Sequence, residues 1–142
     1  MNTRNHLMPG LLASLMLAGV VGCGKPMPPA TGLLAGHWEG VEVGQPAGRY
    51  AITITANELE YRGAQSNDWC RGTFVLNESA QPMPMDLVIH ASPGAAGKTM
   101  LLICELRGDE LKVAGAQPGN PKRPADFSTN QQTRIWSFLR KP

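Results

Sequence analysis

Hydrophobic and polar residues alternate in short runs along most of the chain from residue 33 onward. In residues 49–55 every second side chain is large and apolar, and residues 58–62 repeat the pattern. A period of two is typical of a β-strand that buries one face. Ala56-Asn57 separates the two runs, so this stretch predicts a β-hairpin with a two-residue turn.

Six further runs have a similar character. They predict strands over residues 37–43, 71–77, 85–90, 99–106, 110–114 and 133–140. Gly108-Asp109 predicts a second compact turn. Eight short antiparallel strands joined mostly by tight turns predict an all-β domain, either an up-and-down barrel or a sandwich. The longest gap, residues 115–132, is polar and proline-rich and predicts an ordered loop or a helical turn.

The N-terminal residues have a different pattern. Residues 11–21 are an uninterrupted apolar run, shorter than the roughly 20 residues of a membrane-spanning helix and typical of a secretory signal. Val20-Val21-Gly22-Cys23 follows and resembles the lipobox of bacterial lipoproteins. The resemblance implies that residues 1–22 are removed and that Cys23 carries lipid. The alternatives are an ordinary secretory signal with a chance cysteine, or an uncleaved buried helix.

The resemblance to a lipoprotein also implies where in the cell the protein is located. Residues 23–32 contain the lipidated cysteine and a proline-rich linker, which at about 3.1 Å per residue holds the following domain about 25 Å from the membrane. Gly24 stands where many Gram-negative lipoproteins kept in the inner membrane have Asp. We therefore expect a lipid-anchored protein of the cell envelope, on the periplasmic side of the outer membrane if the source is Gram-negative.

The charge of the mature chain excludes one class of partner. Of 13 Lys and Arg residues only Arg4 precedes Cys23, and all 11 acidic residues follow it, which leaves a net charge of +1 after removal of residues 1–22. The basic residues are scattered. A nearly balanced chain without a basic patch lacks the electrostatic footprint of a nucleic-acid-binding protein, so the expected partners are the membrane, a small ligand or an envelope protein.

Residues 33–142 resemble a known family. Gly36-His37-Trp38 looks like the G-x-W opening of lipocalins, and residues 105–112, Arg123-Pro124-x-x-Phe127 and the closing 139–141 resemble uncharacterised lipocalin-like domains of the bacterial envelope. The resemblance implies a small antiparallel barrel of about eight strands. It also implies that Trp38 closes one end of the barrel and that an Arg packs over it, with Arg140 the best match and Arg134 the second. The alternative for Trp38 is an ordinary core aromatic.

Two cysteines remain if Cys23 carries lipid. Cys70 and Cys104 form an even pair, and in an oxidising compartment such a pair suggests a disulfide. It would close a loop of about 35 residues and add roughly 3–4 kcal/mol on a chain-entropy model. The alternative is two separate buried thiols, since Cys104 lies in an apolar strand where a free cysteine packs well.

The sequence contains no recognisable catalytic or metal-binding pattern. His37 and His90 are far apart and have no metal-ligand spacing around them. Asp68-Trp69-Cys70 has no base beside the cysteine, which nucleophilic catalysis would need. We therefore expect a protein that is not an enzyme and that has no metal or other cofactor.

Two functions remain. The first is a non-catalytic binding module for a small apolar ligand, because an eight-stranded barrel can hold one small ligand or can be filled by its own side chains. The second is a protein-interaction or inhibitor module of the envelope, similar to lysozyme inhibitors, that would use the loops 63–70, 91–98 and 115–132.

Overall fold

A computed structural model describes residues 31–142 of the chain. The predicted signal peptide, Cys23 and the linker up to residue 30 lie outside the described residues. One short helix precedes eight strands: α1 (Thr31–Leu34), β1 (Gly36–Glu42), β2 (Tyr50–Thr55), β3 (Glu58–Arg62), β4 (Trp69–Leu76), β5 (Met83–Ala91), β6 (Thr99–Arg107), β7 (Glu110–Ala116) and β8 (Thr133–Lys141).

The eight strands form a closed antiparallel barrel in chain order. Each strand pairs with the next, and β8 returns to pair with β1 through a register that sets Trp38 opposite Arg140. The predicted all-β barrel is confirmed, and the sandwich alternative is wrong. The two predicted turns, Ala56-Asn57 and Gly108-Asp109, join their strands as expected. Helix α1 was not predicted, because four residues are too few for a helical pattern.

The two faces of each strand follow the alternation in the sequence. Trp38 of β1 is fully buried, while Val41 and Val43 are about half exposed on the outer wall. On β8, Trp136 and Phe138 are buried in the interior. The apolar residues that alternate along the strands therefore form one core inside the barrel, as the period of two requires.

A second, smaller apolar cluster lies on the outside of the barrel. Ile103, Ala114 and Ile135 are paired across β6, β7 and β8 and are buried beneath Phe127, which comes from the loop 117–132. Arg123 of the same loop donates hydrogen bonds to the carbonyl oxygens of Met85 and Leu102. This loop contains no helix and lies along the wall of the barrel.

Glycine allows neighbouring strands to approach closely at two places in the barrel wall, the β1–β8 pair and the β4–β5 pair. A Cβ at Gly40 would lie 1.9 Å from the carbonyl oxygen of Ser137, and one at Gly72 would lie 2.0 Å from that of Val88. The β4–β5 register also shifts between Arg71 and Gly72. Such irregularities bend a strand, so these positions help the sheet to curve.

The two ends of the barrel differ. The end called here the closed end contains α1, the start of β1 and the short turns 56–57 and 108–109. The opposite end, called the mouth, contains the loops 43–49, 63–68, 92–98 and 117–132.

Candidate ligand-binding cavity

The closed end is sealed by side chains. Trp38 has no exposed surface, and its indole N–H donates a hydrogen bond of 3.0 Å to the carbonyl oxygen of Leu34. Leu34 is also fully buried. The guanidinium carbon of Arg140 lies 4.1 Å from the centroid of the Trp38 ring. Arg140 also donates to the carbonyl oxygens of Ala35, at 2.6 Å, and Leu33, at 3.0 Å.

A cavity of about 360 Å³ occupies the barrel above this floor. Its deep wall is almost entirely aliphatic, with single contributions from a thiol and an aromatic ring; the residues are Ile52, Ile54, Leu59, Met85, Leu87, Ile89, Leu102, Cys104, Leu111, Val113 and Phe138. Apolar surface of this kind favours an apolar occupant, because water in the cavity finds few hydrogen-bond partners.

Polar side chains line the cavity only toward the mouth. Asn67, Asp68 and Trp69 come from the end of the 63–68 loop and the start of β4, and Ser92 and Gln117 come from two other loops. The loop 92–98 also turns inward, since Ala95 packs against the interior core. The cavity is therefore apolar at depth and polar at the rim.

An ion-pair cluster lies at this rim. The Nε and Nη2 atoms of Arg134 donate to the two carboxylate oxygens of Glu42 at 2.9 and 2.7 Å. The Nη2 atom also lies 3.2 Å from a carboxylate oxygen of Asp68 and 3.1 Å from the hydroxyl of Tyr61. That hydroxyl in turn donates to Asp68 at 3.0 Å. The cluster joins β1, β3, β8 and the 63–68 loop.

The charges in the cluster fix one another's protonation states. Glu42 is 8% exposed and is the one buried charged residue in the range 31–142. Hydrogen bonds from Arg134 lower the pKa of the Glu42 carboxyl, against the opposing effect of burial. The Glu42 hydrogen bond raises the pKa of Arg134, and burial raises that of the Tyr61 hydroxyl. The Arg134 cation and the Glu42 carboxylate therefore stabilise each other's charged forms.

Trp136 lies beside this cluster and has an unusual environment. The guanidinium carbon of Arg134 is 4.8 Å from its ring centroid, and the Tyr61 ring meets it edge-on at 5.7 Å. Its indole nitrogen is the one buried side-chain polar atom in residues 31–142 without a hydrogen-bond partner. The Trp136 indole N–H lies close enough to the Tyr61 hydroxyl to oppose the rise in the pKa of that hydroxyl, but the geometry is not that of a hydrogen bond.

The suggested disulfide is not formed. Cys70 and Cys104 are both free and buried. Cys104 pairs with Met83 of β5, whereas Arg71, next to Cys70, pairs with Ala91 of the same strand. Eight positions along a strand correspond to about 26 Å, far more than the roughly 7 Å Cα separation that a disulfide can span. Both thiols line the cavity, Cys70 near the mouth and Cys104 near the floor.

The two histidines within residues 31–142 lie on the outer wall. His37 contacts the hydroxyl of Thr53 and the carboxylate of Glu39, and His90 contacts the hydroxyl of Thr73. Neither lines the cavity. No group of three or more His, Cys, Asp or Glu residues in the described range could hold a metal ion. No helix between residues 31 and 142 is long and apolar enough to span a bilayer.

The residues of the mouth cluster were not singled out from the sequence as a set. Arg134 was considered only as a second match for the residue over Trp38, and the structure instead places it over Trp136 at the other end of the barrel. One signal was available. Glu42 alternates in phase with the inward Trp38, and Arg134 alternates in phase with Trp136, so opposite charges face inward on paired strands.

No family model, no curated protein and no solved structure matches this chain.

Proposed function

We propose that this protein is a lipid-anchored, lipocalin-like lipoprotein of the bacterial cell envelope whose barrel binds one small apolar ligand. The observation that carries the proposal is the cavity of about 360 Å³, with an aliphatic wall and a polar rim. Small-molecule sites are typically concave, largely apolar and about 300–1,000 Å³ in volume, with a few polar groups that orient the ligand.

The size of the cavity limits the ligand. At about 30 Å³ for each water-sized group, it holds on the order of a dozen methylene groups, and it holds more atoms of an aromatic ring system, because ring atoms occupy less volume each. A medium-length aliphatic chain or a compact ring system fits this limit, whereas a large macrocycle does not. Burial of such a ligand is favourable by roughly 25 cal/mol for each Å² of apolar surface removed from water, before the cost of association.

The sealing of the closed end supports the resemblance to lipocalins. Arg140 packs over Trp38, the pair that the G-x-W resemblance implied. The carbonyl groups that Arg140 binds belong to residues 33–35, the segment through which the chain joins the barrel. With lipid on Cys23, the linker would therefore reach the barrel at its closed end, and the mouth would face away from the membrane.

The inhibitor alternative receives less support from the loops. The longest of the three candidate loops is fastened to the outer wall by Phe127 and Arg123, so it does not project as an inhibitory loop would. The other two contribute Asp68 and Ser92 to the rim of the cavity. Binding of a small ligand inside the barrel uses these two rim residues, whereas an inhibitory loop would have to project from the barrel into an enzyme cleft.

A pair of tryptophan substitutions tests ligand binding. The barrel, its floor and its outer layer all lie within residues 31–142, so we expect the chain from Gly24 onward to fold without the preceding residues. N-phenyl-1-naphthylamine, an uncharged apolar fluorophore, should bind this chain with increased fluorescence. Val113→Trp places a large ring in the cavity and should abolish the increase, whereas Val75→Trp, at a position 74% exposed on the outer wall, should preserve it.

Native mass spectrometry provides a second test of ligand binding. Native mass spectrometry of the same chain, purified gently from a bacterial host, should reveal a bound mass that is lost on denaturation. Absence of both the fluorescence increase and a bound mass, repeated after incubation with mixed lipids, would contradict the proposal. Such a result would favour the alternative function, in which the mouth loops bind a protein partner.

The anchor is tested separately. The full chain should fractionate with membranes in a bacterial host, and its mature form should carry the mass of attached lipid. Cys23→Ala removes the thiol to which lipid is attached and should transfer the domain to the soluble fraction, while Cys70→Ala serves as the matched control and should remain with the membrane. A Cys23→Ala protein that stays membrane-bound would contradict lipidation at this residue.

A further inference from the structure

The charged side chains beside the cavity include more acidic groups than basic ones. Among the residues that line the cavity, only Asp68 and Arg134 are charged, and Glu42 binds Arg134 from behind. The three groups sum to one net negative charge at neutral pH. Glu42 is 8% exposed, whereas the side chains of Asp68 and Arg134 are 32% and 41% exposed, so water screens this charge in part. The apolar deep wall adds no screening on the cavity side.

The single cation is already engaged. The Nε and Nη2 atoms of Arg134 bind two carboxylates, and its guanidinium lies over the rings of Tyr61 and Trp136. A carboxylate ligand could bind this cation only beside Glu42 and Asp68, whose negative charges would repel it. A cationic ligand would meet the positive charge of Arg134 at the rim, where Asp68 is already paired with it.

The remaining polar groups at the rim are neutral. Asn67, Ser92 and Gln117 offer amide and hydroxyl groups that both donate and accept hydrogen bonds. They lie at the mouth, above the aliphatic wall. A ligand with an apolar body and an uncharged polar end would match this division between wall and rim.

We propose that the cavity selects uncharged amphiphiles, such as alcohols, esters or amides with an aliphatic body, and discriminates against the carboxylates of the same chain length. This proposal rests on the proposed function, since it assumes a ligand in the barrel. The aliphatic part contacts the deep wall, and the neutral polar end lies among Asn67, Ser92 and Gln117.

Matched ten-carbon probes test the selectivity. 1-Decanol, decanoate and decylammonium have the same chain and differ in charge, so displacement of N-phenyl-1-naphthylamine from the chain starting at Gly24 compares their affinities at about pH 7.5, where a free carboxylate is ionised. Decanol should bind on the order of tenfold more tightly than decanoate. It should also bind more tightly than decylammonium, because the ammonium loses hydration at the rim while both carboxylates there are already paired with Arg134.

A change of charge at the rim tests the cause of the selectivity. Asp68→Asn brings the cluster to zero net charge and should reduce the ratio of decanol to decanoate affinity several-fold. Glu58→Gln makes the same change in net charge at an exposed position near the closed end and should leave the ratio as it is. An equal effect of both variants would show that overall charge, and not the cluster, sets the ratio.

The outcomes separate this proposal from the one on which it rests. If the fluorophore itself fails to bind, the proposed function fails. If it binds and decanol displaces it, but decanoate or decylammonium displaces it equally well or better, ligand binding stands and the preference for uncharged amphiphiles is overturned.

Discussion

Both ends of the barrel place an arginine of β8 over a tryptophan ring, but the two arginines have different partners. At the closed end the Arg140 guanidinium lies 4.1 Å from the Trp38 centroid, and at the mouth that of Arg134 lies 4.8 Å from the Trp136 centroid. The Nη atoms of Arg140 donate to two backbone carbonyl groups and its Nε lies 3.5 Å from the exposed Asp109 carboxylate, whereas Arg134 binds the rim carboxylates of Glu42 and Asp68.

The partners determine what each arginine does for the barrel. The carbonyl groups belong to the segment 33–35, which passes beneath the floor, so Arg140 fixes that segment and excludes water from Trp38. The carboxylates belong to the rim and the 63–68 loop, so Arg134 ties a loop to the wall while the cavity beside it stays open. The same arginine–tryptophan contact therefore seals one end and borders an opening at the other.

The largest difference between the ends should come from the indole nitrogens. Trp38→Phe removes the N–H that binds the Leu34 carbonyl oxygen and leaves a buried acceptor unpaired, which together with lost packing should cost about 3 kcal/mol. Trp136→Phe removes an N–H that has no partner, so it should cost only about 1 kcal/mol. Urea unfolding of the chain from Gly24 onward measures both.

One result would contradict the predicted difference between the two variants. Equal losses of stability in the two phenylalanine variants would mean that the indole hydrogen bond to Leu34 contributes little to the closed end. The dependence of unfolding free energy on urea should be similar in both variants, since neither substitution changes the surface exposed on unfolding by much.

A smaller effect should depend on pH and arise at the mouth. The pKa of Glu42 is lowered in the folded state by Arg134, so its contribution to stability is present above the unfolded-state pKa, near 4.3, and is lost as the pH falls through the lower folded-state value. Glu42→Gln should lower the free energy of unfolding by about 2 kcal/mol at pH 7. This loss lies between those typical of breaking an exposed ion pair and a buried one.

The pH dependence distinguishes this ion pair from simple packing. The stability difference between the wild type and Glu42→Gln should shrink between pH 5 and pH 3. Glu58→Gln is the control, since it changes an exposed carboxylate without a buried ion pair. A difference that stays constant over this pH range would mean that Glu42 contributes through its shape and not through its charge.

The comparison of the two ends also explains how much the sequence could predict. The strands were predicted well because local alternation and turn residues specify them; β3, for example, spans Glu58–Arg62 as expected. Arg140 over Trp38 followed from a motif that resembles lipocalins, since the two residues stand directly opposite each other in the β1–β8 register. The strands use information carried by short stretches of chain, whereas the Trp38–Arg140 pair uses a family pattern that links positions 102 apart.

The mouth depends on information that is spread along the chain. Arg134 and Glu42 are 92 positions apart, and Asp68 reaches the cluster from a loop whose path no periodicity describes. The apolar cluster on the outside of the barrel could not be predicted for a similar reason. Phe127 covers Ile103 and Ile135 only because the loop 117–132 folds back along the wall. Registers between distant strands and the paths of loops are tertiary properties, so the cavity rim could not be predicted from local pattern.

The smallest expected effect concerns the two thiols, which again differ in their distance from the mouth. Burial raises the pKa of Cys70 to about 11 and that of Cys104 to about 12. Since the thiolate is the reactive form, both should resist N-ethylmaleimide at pH 8 in the folded chain from Gly24 onward, with Cys104 the slower, and both should react at once in urea. Reduction should leave the intact mass and the unfolding free energy unchanged, because the β5 register keeps the two residues apart. A change in mass on reduction would contradict that register and with it the position of β6 in the barrel.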